Sequence, residues 1–158
     1  MTNREKKDVA NIPVPPLLMF LIVLVAATAF HRLLPFSSLP GGTARVVAGV
    51  VVMLMSGVLA GVTFVKMHRE RTSFDPGTPT TSVCCTGIFR LTRNPMYLSL
   101  VLLLFGIGLF ISSIYFVLLA PVLLIVYDRL VVRAEEAYLT EKFGEAYLRY
   151  KARVRRWL

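Results

Sequence analysis

Acidic residues are scarce in this 158-residue chain: nine Asp and Glu stand against eighteen Lys and Arg. A net charge of +9 would ordinarily point first to nucleic acid. Here the cations cluster beside long uncharged runs, where they set membrane topology and meet anionic lipid, so no nucleic-acid partner is expected. Cysteine is confined to the adjacent pair Cys84 and Cys85, and histidine to His31 and His68, far apart in the chain. That offers no metal-ligand spacing, and adjacent cysteines rarely meet the geometry a disulfide requires. No metal is expected, and the cysteines are read as packing residues. The first apolar run lacks a small-residue A-x-A end, so it reads as a retained span and not a cleaved leader. Ionisable side chains are missing from the middle of every apolar run, which argues against a transporter.

What the chain has in excess is apolar surface. Hydrophobic residues make up 56% of it and the mean hydropathy is +0.67, above the roughly half expected of a soluble domain. A bilayer span needs ~20 apolar residues, and the excess falls in runs of that length. The first span is expected over residues 16–34, started by Pro15-Pro16 because proline costs little in a first helical turn. Pro40-Gly41-Gly42 supplies turn chemistry, and a second span is expected over residues 45–67. Within it, Gly57 and Gly61 form a small-xxx-small pair suited to close helix approach.

Residues 95–127 carry no charge. As one helix they would extend ~50 Å at 1.5 Å per residue, against a hydrocarbon core of ~30 Å. The run is therefore read as two helices in a tight hairpin, broken near Ser112-Ser113, with the second continuing to about Arg133. The expected fold is all-α: a polytopic membrane protein of about four transmembrane helices plus a C-terminal interfacial amphipathic helix. That last helix is read from Leu139, Phe143, Tyr147, Tyr150 and Val154, which recur at spacings of three or four, with Trp157 suited to the headgroup level. The chain is read as a single membrane domain: a polar cytoplasmic tail (1–15), two spans (16–67), and a region holding the hairpin and the site (68–158). The excess of Lys and Arg puts both termini and the loop at 66–94 on the cytoplasmic side.

That topology brings two polar segments to one face. One is Thr81 to Tyr97, the other Arg129 to Glu136. Asn94-Pro95 favours an extended residue before a helix start, with Asn94 a reasonable N-cap. Glu135-Glu136 is a carboxylate pair near the interface, costly there unless paired or functional, with Arg93, Arg129 and Arg133 as candidate partners. Gly106 and Gly108 sit mid-helix and read as packing; His31 and His68 read as topological or surface residues.

The order Thr86-Gly87-x-Phe89-Arg90-x-x-Arg93-Asn94-Pro95-Met96-Tyr97-Leu98, then a hairpin, then Glu135-Glu136-x-x-Leu139-x-x-x-Phe143-Gly144-x-x-Tyr147-x-x-Tyr150-x-x-x-Val154 resembles the isoprenylcysteine carboxyl methyltransferase family, which belongs with the phospholipid methyltransferases. The likeness spans residues 78–157, half the chain. It implies a multi-span enzyme that binds S-adenosylmethionine in a cytosolic pocket and methylates a lipophilic substrate entering from the bilayer. By resemblance the cofactor would be contacted by Thr81, Ser82, Val83, Cys84, Gly87, Phe89, Arg93, Asn94, Pro95, Met96 and Tyr97, by Arg129 or Arg133, and by Glu135 or Glu136. Asn94, Tyr97, Glu135 and Glu136 are the residues expected at the chemistry. Family members often carry His where this chain has Asn94, which keeps hydrogen bonding but is no proton acceptor near neutral pH. A carboxylate acceptor is already ionised at pH 7, whereas an amine must lose a proton, so carboxyl O-methylation of an isoprenylcysteine-like or other lipid-linked acceptor is the leading reading. The alternatives are phospholipid amine N-methylation, an NADPH-dependent membrane reductase of the same superfamily, and a non-catalytic membrane assembly protein. Membrane lipids are the expected surroundings.

Overall fold

The computed structural model describes residues 10, 12–34, 38–70 and 85–158. Among these residues all regular secondary structure is helical. The helices are α1 (Pro16–Leu33), α2 (Gly42–Arg69), α3 (Pro95–Phe110), α4 (Ile114–Tyr127), α5 (Arg133–Phe143) and α6 (Glu145–Arg153), with a 3-10 turn at Gly87–Arg90 and a π turn at Asp128–Val132. Residues 114–143 form one continuous helical path, since the π turn joins α4 to α5 without a break. Three helices are long and apolar enough to cross a bilayer: Pro16–Leu33, Gly42–Arg69 and Ile114–Phe143. α3 is a shorter apolar helix of 16 residues, ~24 Å at 1.5 Å per residue.

The helices stand side by side in the order α1, α4, α3, α2, because α3 packs on both α2 and α4 while α1 packs chiefly on α4. The hairpin turns where the charge-free run predicts. Ser112 takes a left-handed φ of 62°, and its hydroxyl both accepts from the Leu39 N–H (2.9 Å) and donates to the Leu39 carbonyl (3.1 Å). At this end Arg45 donates to the carbonyls of Leu109 and Phe110, the last residues of α3. A cation there satisfies carbonyls that lack helical partners and complements the negative end of the helix dipole.

Close approach of α2 and α3 rests on Gly49 and Gly106. A Cβ at Gly49 would lie 2.7 Å from the Phe110 nitrogen and 3.0 Å from the Gly106 oxygen. Ser56 adds an interhelical bond to the Ser99 carbonyl at 2.7 Å. The packing role expected of Gly57 and Gly61 is not seen: no heavy atom lies within 4 Å of a Cβ at either. They sit on the outward face of α2, among exposed Leu54, Val58 and Val62. A small-xxx-small pair draws in a helix only when it faces one, and it is Gly49 that faces α3. The packing expected of Gly106 and Gly108 is seen, with a Cβ at Gly108 meeting Phe116 at 2.7 Å.

The amphipathic stripe of the C-terminal region also finds its partner within the protein. Tyr147, Tyr150 and Val154 form a buried cluster with Phe89, flanked by Leu139, Phe143, Met67 and Ile88. The expected single helix is divided at Gly144, whose φ of 52° and ψ of −128° turn α6 away from the axis of α5. An L side chain is strained there, so Gly144→Ala is expected to cost on the order of 1–3 kcal/mol, read as a lower unfolding temperature of the detergent-solubilised protein.

Candidate functional site

Four helix ends meet at one end of the bundle: the start of α1, the end of α2, the start of α3 and the end of α4. Two buried tyrosines line the junction. Tyr127 donates to the Pro16 carbonyl at 2.9 Å, and its ring lies 5.1 Å from that of Tyr97, centroid to centroid. Pro95 opens α3 in the position where its missing N–H costs nothing, which places Tyr97 in the first turn. From there the Tyr97 hydroxyl donates to Glu135 Oε1 at 2.5 Å. Two residues far apart in sequence, both expected at the chemistry, thus touch.

The two adjacent glutamates live in different surroundings. Glu136 is only 5% exposed and is ringed by cations. Arg156 Nη2 lies 2.8 Å from its Oε2 and Arg156 Nε 2.9 Å from its Oε1, a bidentate pairing that suits the planar guanidinium fork. Lys151 approaches at 3.1 Å and Arg93 at 2.9 Å. Among the described residues no cation is paired with Glu135. Glu136 is therefore held as part of the architecture, while Glu135 is an uncompensated carboxylate anchored by a phenol.

Arg93 has two faces. Its Nη1 is near enough to Glu136 to attract it, yet neither Nη1 nor Nε meets a hydrogen-bond acceptor, and both are buried. The contact is one of charge without alignment, and it leaves two buried donors that a ligand carboxylate could satisfy. Around the cluster, burial pushes the Tyr147 phenol up to about 12, with Glu136 adding to the rise and Arg93 opposing it. Glu136 and Asp128 together raise the Arg156 guanidinium above its ordinary range, so it stays charged at any working pH.

Asn94 occupies the N-cap position of α3, but its side chain makes no capping bond. Its Nδ2 donates instead to the Arg156 carbonyl at 2.9 Å, beside Thr92 Oγ1, which donates to the same oxygen at 3.0 Å. Pro95 is buried in that first turn, and Met96 is half-buried beside it. Gly87 opens the 3-10 turn with a φ of 62°. Phe89 is committed to the Tyr147–Tyr150–Val154 cluster, and its carbonyl accepts from Tyr150 at 2.8 Å, so the structure does not bring its ring to Tyr97 and Glu135. Of the two arginines read as alternatives, Arg133 reaches Asp128 at 3.4 Å and Arg129 lies 4.0 Å from it, both side chains more than half exposed. Neither is joined to Glu135. Thr81, Ser82, Val83 and Cys84 lie outside the described residues. Cys85 is a free, half-buried thiol, pushed up by burial and by Glu70, which suits packing better than reactivity.

Sequence reasoning missed Arg156 and Lys151 as parts of this centre and gave Asp128, at the edge of the returning segment, no role. Arg156 joins Asp128 and Glu136, and no spacing in the sequence announces it. Among the described residues there is no group of three or more His, Cys, Asp or Glu arranged to hold a metal.

Comparison with known proteins identifies the family. A family profile described as phospholipid methyltransferase matches residues 44–146, from the start of α2 through α5. An uncharacterized protein of Haemophilus influenzae is 41% identical over 63 residues, which is 40% of this chain and the whole of that protein. No solved structure matches.

Proposed function

The chain belongs to the phospholipid methyltransferase family, within the isoprenylcysteine carboxyl methyltransferase-like superfamily, and from that footing we propose that this integral membrane methyltransferase uses S-adenosylmethionine to methylate a lipophilic acceptor, a lipid-linked carboxylate first. The observation that carries the reading is the division of labour between Glu135 and Glu136. A cofactor bearing a sulfonium and an ammonium asks for an uncompensated carboxylate, and Glu135 is one. Its own carboxylate asks for buried donors without acceptors, and Arg93 has them. The residues present fit the group.

S-adenosylmethionine supplies a methyl group on a positively charged sulfur, which an acceptor takes by in-line displacement. Such a step needs little acid–base help, so positioning and exclusion of water carry much of the rate. Tyr97 holds Glu135 in place; Glu136 is saturated by cations and unable to serve as a base. The surrounding excess of Arg and Lys favours an anionic acceptor already ionised at pH 7. An apolar groove of ≈ 420 Å³ runs along α2 past Leu54, Met55, Val58 and Val62 to Ile88 beside the 3-10 turn, and it suits an acyl or prenyl tail approaching from the bilayer. The same cations, set against only His31, Arg32 and Arg45 at the far end, support a cytoplasmic site with both termini on that side.

A second reading, N-methylation of a phospholipid amine, is favoured by the description of the matching family. Label transfer separates the two. Membranes carrying the protein, incubated with methyl-tritiated S-adenosylmethionine, are expected to yield organic-soluble label that mild base releases as methanol, as a methyl ester must. Base-stable label would establish the amine reading, and no label above a Glu135→Gln control would set both aside.

A further inference from the structure

The segment after α6 folds back across the site and ties three elements together. The Arg155 carbonyl accepts from the Arg93 N–H at 3.1 Å. The Arg156 carbonyl accepts from Thr92 and Asn94, and the Arg156 side chain spans Asp128 (2.9 Å) and Glu136 (2.8 Å). Trp157, the single tryptophan of the sequence, donates from Nε1 to Asp128 at 3.3 Å and packs on the main core. One residue thus contacts the strand of chain leading into α3 through its backbone, and α5 and the π turn through its side chain.

The π turn makes this span possible. In a continuous α-helix at 100° per residue, Asp128 and Glu136 would be rotated ~80° apart around the axis. A π turn takes more residues per turn, so each residue advances less, and such turns recur at functional sites. The π turn at Asp128–Val132 brings the two carboxylates closer to a common face, where one guanidinium bridges both.

We propose that Arg156 is a positioning residue: by locking α5 to the residues that open α3, it fixes the distance and rotation at which Glu135 meets Tyr97. The function assigned to it, setting the acidic pole for S-adenosylmethionine, rests on the reading under Proposed function. Arg156 itself is occupied by Asp128 and Glu136 and acts through Glu135. Lysine in its place offers one point charge and no fork, so it holds one carboxylate but does not bridge two.

The test uses the full chain purified in detergent, with S-adenosylmethionine affinity, Trp157 emission and far-UV helicity measured together at a temperature where each variant remains folded. Arg156→Gln is expected to weaken affinity at least tenfold and to shift Trp157 emission to longer wavelength at unchanged helicity. Arg156→Lys is expected to fall between wild type and Gln. The double variant Arg156→Lys/Glu135→Gln is expected to lose no more than Glu135→Gln alone, whereas a loss of affinity that did not pass through Glu135 would add to it. Should Arg156→Gln fail to fold, Asp128→Asn decides, since it takes the charge from one arm of the bridge and leaves Glu136 paired; an expected loss of several-fold supports the proposal. Wild-type affinity in folded Arg156→Gln or, where that fails, Asp128→Asn overturns it, as does full additivity of the double variant. If the wild type binds no S-adenosylmethionine, the functional reading falls separately, and the clasp is judged by emission alone, unchanged emission in Arg156→Gln overturning it.

Discussion

Glu136→Gln is expected to destabilise the protein severely, while its neighbour Glu135→Gln leaves stability near wild type and weakens cofactor affinity. Glu136 is buried against Arg93, Lys151 and Arg156. Neutralising it takes the counter-charge from Arg93 and Lys151 and leaves Arg156 with Asp128 alone. Removing one member of a buried ion pair costs ~3–5 kcal/mol, because the surviving charge stays desolvated. Glu135 has no such dependants. Gln there still accepts from the Tyr97 hydroxyl, so the fold keeps its bond and loses only a charge. That charge is the one assigned to the ammonium and sulfonium of the cofactor, and hydrogen bonds to charged groups are worth ~1.5–3 kcal/mol, or roughly 10- to 100-fold in affinity. The pair is checked by thermal unfolding in detergent and by S-adenosylmethionine titration of whichever variant folds. Equal loss of stability in both variants would contradict the division of labour.

The second large effect lies in the membrane-spanning region. Gly49→Ala is expected to cost more than ~2 kcal/mol, since overpacking a close-packed contact costs ~1–3 kcal/mol even where side chains can yield and here the obstacle is the Phe110 backbone 2.7 Å away. Gly57→Ala, with nothing within 4 Å, is expected to be neutral or slightly stabilising, as alanine is the better helix former. Unfolding temperatures of the two variants in the same detergent check this. A Gly57→Ala loss equal to that of Gly49→Ala would show that the outward face of α2 is covered in the folded protein.

These contrasts mark what the sequence could and could not disclose. The hairpin was legible because 33 uncharged residues exceed what one span can hold, and Ser112-Ser113 is the one serine pair near their middle. The nearness of Tyr97 to Glu135, though not their contact, was legible for the same reason: a hairpin returns its two ends to one face, and both residues lie at those ends. Which glutamate stays uncompensated was not legible, because the cations that separate them, Lys151 and Arg156, arrive only when Gly144 turns α6 back over the site. The π turn has no proline or glycine to announce it; Asp128–Val132 reads as ordinary helix. Gly57 and Gly61 satisfy the small-residue pattern more literally than Gly49 does, yet pattern cannot say which face of α2 meets α3. The stripe from Leu139 to Val154 was read correctly as an apolar face, and its partner, Phe89 with Ile88 and Met67, is set by tertiary folding that periodicity does not encode.

The central claim is that this bundle end binds S-adenosylmethionine, and calorimetric titration of the detergent-purified protein tests it most directly, with NADPH as the parallel ligand. The account predicts saturable micromolar binding of S-adenosylmethionine, weakened roughly 10- to 100-fold in Glu135→Gln, and no heat from NADPH. Binding of NADPH alone would make the protein a reductase of the same superfamily, and binding of neither ligand by protein shown to be folded would contradict a catalytic role altogether.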